Sequence, residues 1–300
     1  MPAVIAADLG GTFLRTACVT PERIVLQEAV RRVEDRRGNA AVAAFLRAAL
    51  QEAYHRAREA SLDPIAVGLA VPGLVDPAAG MLRYSGNLDV RDLPVEEAVR
   101  EAVPLPFVVE NDVRAAAWGE WLRGAGQSAV HMTYLSAGTG IAAAAVFDGH
   151  LYYGATDAAG ELGHAPVIPD GDLCRCGRRG CLETVAGGWG IARRAGMATA
   201  EDVFEAAEAG DAAAGAVIEE AGRALGQAAI TVVRLWNPDR VILGGGLFHE
   251  GSPLVDAVRE AIAGSPLRGD APPVVDRGQF GEHSGLMGAA CLALAIQADA

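Results

Sequence analysis

Residues 3–12 read Ala-Val-Ile-Ala-Ala-Asp-Leu-Gly-Gly-Thr, an apolar run that stops at a carboxylate and a pair of glycines. This pattern predicts a buried strand entering a tight turn. A second strand is expected over 14–19. Residues without side chains let backbone N–H groups close on an anion, and Thr12 adds a hydroxyl. Asp8, Gly10, Gly11 and Thr12 can therefore cradle phosphate, with a plain hairpin turn as the alternative.

Working outward, Val42, Phe45, Leu46, Ala49, Leu50, Ala53, Tyr54 and Ala57 recur at three- and four-residue spacing, which predicts an amphipathic helix capped by Asn39. Residues 65–71 form an apolar strand stopped by Pro72-Gly73, and 107–109 form another that leads into Glu110-Asn111-Asp112. Alternating strands and helices argue for an α/β fold with its active groups at strand ends. The second half repeats the plan. Strands are expected over 130–135 and 141–147, joined by the turn Ser136-Ala137-Gly138-Thr139-Gly140 and followed by the hairpin signal Asp148-Gly149. A helix over 212–236 ends at Asn237-Pro238, a strand over 241–243 runs into Gly244-Gly245-Gly246, and a small-residue helix spans 284–298. A domain boundary is expected near residue 115.

Gly138, Thr139 and Gly140 match the first turn in character, and two such turns favour a nucleotide. The string from Gly138 to Ala143 also fits the G-x-G-x-x-A dinucleotide fingerprint, but that motif should open a helix, and a hairpin follows too soon here. At the junction after residue 109, a carboxylate can point out of the sheet. Phosphoryl transfer to a sugar hydroxyl needs such a group to orient the hydroxyl and take its proton, and Asp112 is the candidate. Its alternative role is a helix N-cap.

The densest signal is His164 followed by Cys174, Cys176 and Cys181, one imidazole and three thiols with C-x-C-x4-C spacing. This set completes a tetrahedral zinc shell with no open position, so a structural metal is expected. Glu161 and Glu183 flank that loop and can be fixed against a polyol. His164 can bond a sugar hydroxyl through the ring nitrogen that does not face the metal.

Composition bounds the rest. The chain has 300 residues, 51% hydrophobic and 21% charged, which excludes a disordered protein. Its 25 basic and 38 acidic side chains leave a charge of −13, which opposes nucleic-acid binding. Five cysteines give no even disulfide framework. With no signal peptide or spanning segment visible, a cytoplasmic protein without membrane attachment is expected.

Together these residues make the chain resemble the ROK family (repressor, open reading frame, kinase), and within it the bacterial ATP-dependent glucokinases. Asp8 to Thr12 with Arg15 is similar to the family's first phosphate motif, Ser136 to Gly140 to its second, and Val241 to Gly246 to its adenosine motif. Glu110-Asn111-Asp112 resembles the catalytic segment, Gly160 to His164 the sugar and zinc segment, and Cys174 to Glu183 the cysteine motif. The resemblance implies two actin-like (ribonuclease H-like) α/β domains with a cleft between them. The smaller domain would span 1–115, joined by the helix over 284–300, and the larger would span 116–283 and carry the zinc loop. It further implies ATP with Mg²⁺, Asp112 as the base for the sugar 6-hydroxyl, and sugar binding by Asn87, Asn111, Asp112, Glu161, His164 and Glu183. ATP would be held by Asp8, Gly10, Gly11, Thr12, Gly138, Thr139, Gly140, Gly244, Gly245 and Gly246. Structural Zn²⁺ would sit on His164, Cys174, Cys176 and Cys181, in a homodimer or homotetramer.

Two departures from the family pattern bear on the sugar. Ala142 to Ala145 follow the second phosphate turn where glycines are common, and Asp89-Val90 follow Asn87-Leu88 where many glucokinases place an aromatic. Glucose is the expected substrate, with mannose, N-acetylmannosamine, N-acetylglucosamine and fructose as alternatives. The family also holds sugar-responsive regulators, whose DNA-binding segment precedes the first phosphate turn. Here Asp8 stands seven residues from the start, and an enzyme is expected.

Overall fold

The opening apolar run folds as β1 (Pro2–Leu9), with Ala3, Val4, Ile5, Ala6 and Ala7 wholly buried. The computed structural model describes residues 1–22, 24–34, 36–265 and 271–298. The Gly10 N–H donates to the Phe13 carbonyl at 2.8 Å, closing a tight turn into the antiparallel strand β2 (Phe13–Val19), and β3 (Val25–Arg32) extends the meander. Helix α1 (Asn39–Glu59) then buries Val42, Phe45, Leu46, Ala49, Leu50, Ala53 and Ala57, the face expected from their spacing.

The cap of α1 differs from expectation. Gly38, at φ 81°, holds the cap position, and Asn39 is the first helical residue. Its side chain donates to the Arg91 carbonyl at 2.7 Å and accepts from the Arg91 N–H at 3.2 Å. Two bonds to one distant peptide satisfy both ends of the amide, where capping would use only its oxygen.

β4 (Asp63–Val71) returns parallel to β1. A small antiparallel sheet follows, made of β5 (Leu74–Asp76), β6 (Met81–Ser85) and β7 (Val90–Pro94). Helix α2 (Val95–Ala102) leads to β8 (Phe107–Asn111), parallel to β4, and α3 (Asp112–Arg123) starts at the next residue. The chain then repeats the scheme with β9 (His131–Ala137), β10 (Ile141–Phe147) and β11 (His150–Leu151), the last two joined at Asp148 and Gly149 with φ 50° and 79°. Positive φ at both positions suits the right-handed twist of a two-residue hairpin. Helices α4 (Glu183–Ala186), α5 (Gly188–Ala195), α6 (Ala200–Glu208) and α7 (Ala212–Trp236) precede β12 (Arg240–Gly244), which pairs parallel with β9. Helix α8 (Pro253–Ala263) and the parallel strand β13 (Val274–Arg277) follow, and α9 (Ser284–Ala298) comes last.

The two large sheets have the orders β3-β2-β1-β4-β8 and β11-β10-β9-β12-β13. Each is an antiparallel meander extended by two parallel strands, the plan of an actin-like α/β domain. The chain divides into unit 1 (Met1–Gly124, Tyr153–Ala158, His283–Ala300) and unit 2 (Ala125–Tyr152, Ala159–Glu282). Residue 115 lies inside α3, all of which stays with unit 1. Residues 299–300 of the expected last helix lie outside the described residues. Among the described residues no helix is long and apolar enough to cross a membrane.

Helix α9 packs within unit 1 because its small residues admit close backbone approach. A Cβ on Gly288 would overlap the Ala115 carbonyl of α3, and one on Gly68 of β4 would overlap the Ala289 carbonyl. Leu286, Met287, Ala289, Ala290, Cys291 and Ala293 are buried and spread over more than half the helix circumference, so α9 lacks the narrow stripe of a surface helix. Gly288→Ala decides between two effects. Helix propensity predicts about 1 kcal/mol of stabilisation. Overlap with α3 predicts a loss of roughly 1–3 kcal/mol, and the loss should prevail as a lower urea midpoint at unchanged m-value.

Candidate functional site

Parallel pairing sets Asp8 opposite Ala70, Ala70 opposite Glu110, and Val71 opposite Asn111. The first glycine turn and the start of α3 thus leave the same edge of one sheet, two strands or about 10 Å apart. Asn87 lies against that turn, since a Cβ on Gly11 would sit 3.8 Å from its Nδ2. The Arg37 guanidinium donates to the Asn87 carbonyl. The Asp8 to Thr12 turn is a hairpin that joins β1 to β2.

Asn111, not Asp112, is the N-cap of α3. Its Oδ1 accepts from the Val113 and Arg114 N–H groups, both at 3.0 Å, and its Nδ2 donates to the Gly73 carbonyl at 3.0 Å. Gly73 has φ 118°, and a Cβ there would strike the Tyr84 carbonyl, so only glycine offers its carbonyl in this way. Asp112 is left as the first helical residue, its Oδ1 accepting from Val113 N–H at 2.9 Å and Asn111 Nδ2 at 3.0 Å. The unpaired N–H groups of a helix start favour negative charge at this position.

Beneath Asp112 runs an ion pair that sequence reading missed. Arg114 Nε donates to Glu110 Oε1 at 2.7 Å, with the side chains 4% and 2% exposed. The other guanidinium nitrogens donate to the Asp157 carbonyl at 2.7 Å and the Val75 carbonyl at 3.2 Å. Tyr153 donates its hydroxyl to Glu110 Oε2 at 2.9 Å. Burial and then the Glu110 charge push that hydroxyl's pKa up, keeping it a donor. The i,i+4 spacing of opposite charges at the strand–helix junction was the available signal.

Asp8 is half-buried beside the start of α9, where a Cβ on Gly285 would come within 2.5 Å of its Oδ2. Burial raises its pKa to about 6, against the lowering charges of Arg15 and His283. The folded chain therefore holds this proton more tightly than the unfolded chain, and stability falls as pH rises from about 4 to about 6. A cation at the carboxylate would offset that cost.

In unit 2 the Gly138 and Thr139 carbonyls accept from the Gly188 and Trp189 N–H groups of α5, at 2.8 and 3.3 Å. No cis peptide occurs among the described residues. Across a trans peptide N–H and C=O point oppositely, so the Thr139 and Gly140 N–H groups face away from α5 as a pair of donors for an anion. Because β12 runs parallel to β9, Gly244 lies opposite Ser136, and a Cβ on Gly138 would lie 3.9 Å from the Gly246 nitrogen. Gly245, at φ 88°, abuts Ala137. The helix demanded by the dinucleotide fingerprint is absent, since residues 141–147 form β10.

The ligand atoms of His164, Cys174, Cys176 and Cys181 lie within 4.8 Å of one another. Cys174 Sγ is 3.6 Å from His164 Nδ1, and Cys176 Sγ is 3.7 Å from Cys181 Sγ. Zinc bond lengths predict tetrahedral edges of about 3.5–3.8 Å, so these residues fit that ion. Burial, then the neighbouring thiols, push the Cys181 pKa up to about 12, and burial also raises that of Cys174. A divalent cation bound here would displace those protons, since Cys ligates as the thiolate.

His164 turns its Nε2 towards Glu161, 3.7 Å from Oε2. Gly160 and Gly163 hold this segment against β10, where any Cβ would overlap the Ala143 and Ile141 carbonyls. Glu183 is braced on both oxygens: Oε2 accepts from Ile141 N–H at 3.1 Å and Oε1 from Trp189 Nε1 at 2.9 Å. Glu161, His164 and Glu183 thus gather around the first residues of β10. Trp189 carries no motif signal, and sequence reading missed it.

The ROK family pattern matches residues 4–296. The chain is 31% identical to a glucokinase of Halalkalibacterium halodurans, over 95% of this chain and 92% of that one. A ROK family glucokinase from Streptomyces griseus, solved in complex with glucose and AMPPNP, superposes with a TM-score of 0.86 at 30% identity, covering 98% of this chain and 99% of that one. The DNA-binding transcriptional dual regulator NagC of Escherichia coli is 30% identical over 68% of this chain and 54% of its own length.

The buried pair under Asp112 predicts asymmetric mutational costs. Arg114→Met alone should cost about 3–5 kcal/mol in chemical denaturation by stranding the Glu110 charge, whereas Glu110→Gln with Arg114→Met should recover most of that loss.

Proposed function

Because the chain belongs to the ROK family, we propose that it is an ATP-dependent hexose kinase that phosphorylates glucose at the 6-hydroxyl. The placement of Asp112 carries the reading: a carboxylate on the first turn of α3, flanked by the Asn111 cap, leaves the same sheet edge as the Asp8 to Thr12 turn. In the reaction, Asp112 accepts the proton of the sugar 6-hydroxyl as that oxygen bonds to the terminal phosphorus of ATP. The bond from phosphorus to the bridging oxygen of ADP breaks, and the proton remains on Asp112.

The Thr139 and Gly140 N–H groups, with Gly10, Gly11 and Thr12, would grip the phosphates, and Gly244, Gly245 and Gly246 would leave room for the adenosine. Asp8 would hold the Mg²⁺ of the nucleotide, which when bound offsets phosphate charge. The sugar would be bound by Asn87, Asn111, Glu161, His164 and Glu183. Zinc on His164, Cys174, Cys176 and Cys181 would have four protein ligands, and so would hold the loop rather than activate water. His164 would use Nδ1 for the metal, keeping Nε2 for a sugar hydroxyl or Glu161. We place the enzyme in the cytoplasm, where three thiols stay reduced, as a homodimer or homotetramer.

The likeness to NagC supports a second reading, a sugar-sensing regulator that binds DNA. Hexose-dependent ADP production without sequence-selective DNA binding would set it aside. A coupled assay over glucose, mannose, N-acetylated hexosamines and fructose should show glucose as the best substrate.

Asp112→Asn should lower kcat by roughly 10²–10⁴ while leaving the melting curve in place, and activity within tenfold of wild type would overturn the assignment. Protein purified without added metal should contain one zinc per chain by elemental analysis. Its removal by a chelator should lower the melting temperature.

A further inference from the structure

We infer that Trp189 is a positioning residue that ties the metal loop to the second phosphate turn, an inference that rests on the kinase reading for its catalytic consequence. Three parts of this side chain and its backbone meet three different elements of unit 2. The indole N–H donates to Glu183 Oε1 at 2.9 Å, and the other oxygen of that carboxylate takes the Ile141 N–H at the exit of the turn. The backbone N–H donates to the Thr139 carbonyl inside the turn. Over the ring lie the guanidinium groups of Arg175, at 4.8 Å from its centroid, and Arg193, at 5.5 Å.

Arg175 stands between Cys174 and Cys176, so the metal loop itself presses on the indole. Asp172 of the same loop reaches α5 as well, pairing with Arg193 at 2.5 Å and Arg194 at 3.3 Å. A rigid loop therefore fixes the indole through cation–π contact, the indole fixes Glu183, and Glu183 fixes the first N–H after the phosphate donors. A Cβ on Gly140 would lie 2.5 Å from Glu183 Oε2, so the turn packs directly against that carboxylate. Half of the acceptor sites of Glu183 are spent on this brace, and the remaining lone pairs keep a set direction for hydroxyl groups.

Trp189→Phe keeps a smaller ring under the guanidinium groups and deletes the indole N–H. Calorimetric titration with Mg²⁺ and AMPPNP should show binding weakened about five- to tenfold, the scale of one net hydrogen bond, with zinc content unchanged. Stripping the metal should shift the tryptophan emission of the wild type and leave that of Trp189→Phe nearly unmoved. AMPPNP affinity within twofold of wild type, or equal emission shifts in both proteins, would overturn the inference. Should Trp189→Phe fail to fold, Arg193→Met, which removes one ring contact and one ion pair with Asp172 of the metal loop from an exposed position, should give a smaller weakening in the same direction, and no weakening overturns it. A wild type that binds AMPPNP but phosphorylates no hexose would defeat the kinase reading alone. If the wild type binds no AMPPNP, the emission comparison still decides the coupling.

Discussion

In each unit the first strand pairs antiparallel on one side and parallel on the other, and this change of sense governs where chemistry can be placed. The antiparallel side supplies a hairpin turn at the carboxyl end of that strand. The parallel side brings the carboxyl ends of two further strands to the same edge, and in unit 1 α3 begins at the end of the second of them. Backbone donors and a helix-borne carboxylate are thereby presented together in unit 1, and two glycine runs adjoin in unit 2. Any residue chemistry added at those ends acts at one edge, the usual location of ligands in open α/β sheets.

The electrostatics follow from the same arrangement. A chain of net charge −13 that contains no lysine cannot hold a nucleotide with ammonium groups. Donation by backbone N–H groups avoids that limit, because a peptide dipole adds field without adding formal charge. Turning the Gly138 and Thr139 carbonyls into α5 is what frees the opposite ends of those peptides. Asp8 shows the complementary cost, a carboxylate whose burial raises its pKa.

Local signals carried much of the fold. Glycine pairs after apolar runs marked both turns, the three- and four-residue spacing marked the buried face of α1, and Asp148-Gly149 marked a hairpin. The strand-to-helix junction at Glu110-Asn111-Asp112 was readable for the same reason, since capping is settled within a few residues. The cysteine spacing was readable because thiols so close in sequence can meet only around an ion or each other. Strands β3, β5, β6 and β7 lacked such signals: β3 is an edge strand with exposed and half-buried residues, and the others are short.

The sequence alone determined the residue types and the turns that display them: the two glycine hairpins, the acid after β8 and the His-Cys₃ set. Only the tertiary structure decided their supports. Asn39 left its cap for the backbone of Arg91, Gly288 admitted α9 against α3, Arg114 neutralised Glu110 beneath Asp112, and Trp189 claimed Glu183. Each of these depends on which backbone or side chain arrives at bonding distance. Partners far apart in the chain, or nearby ones brought face to face by a turn of helix, are chosen by packing and desolvation, and no local propensity encodes that choice.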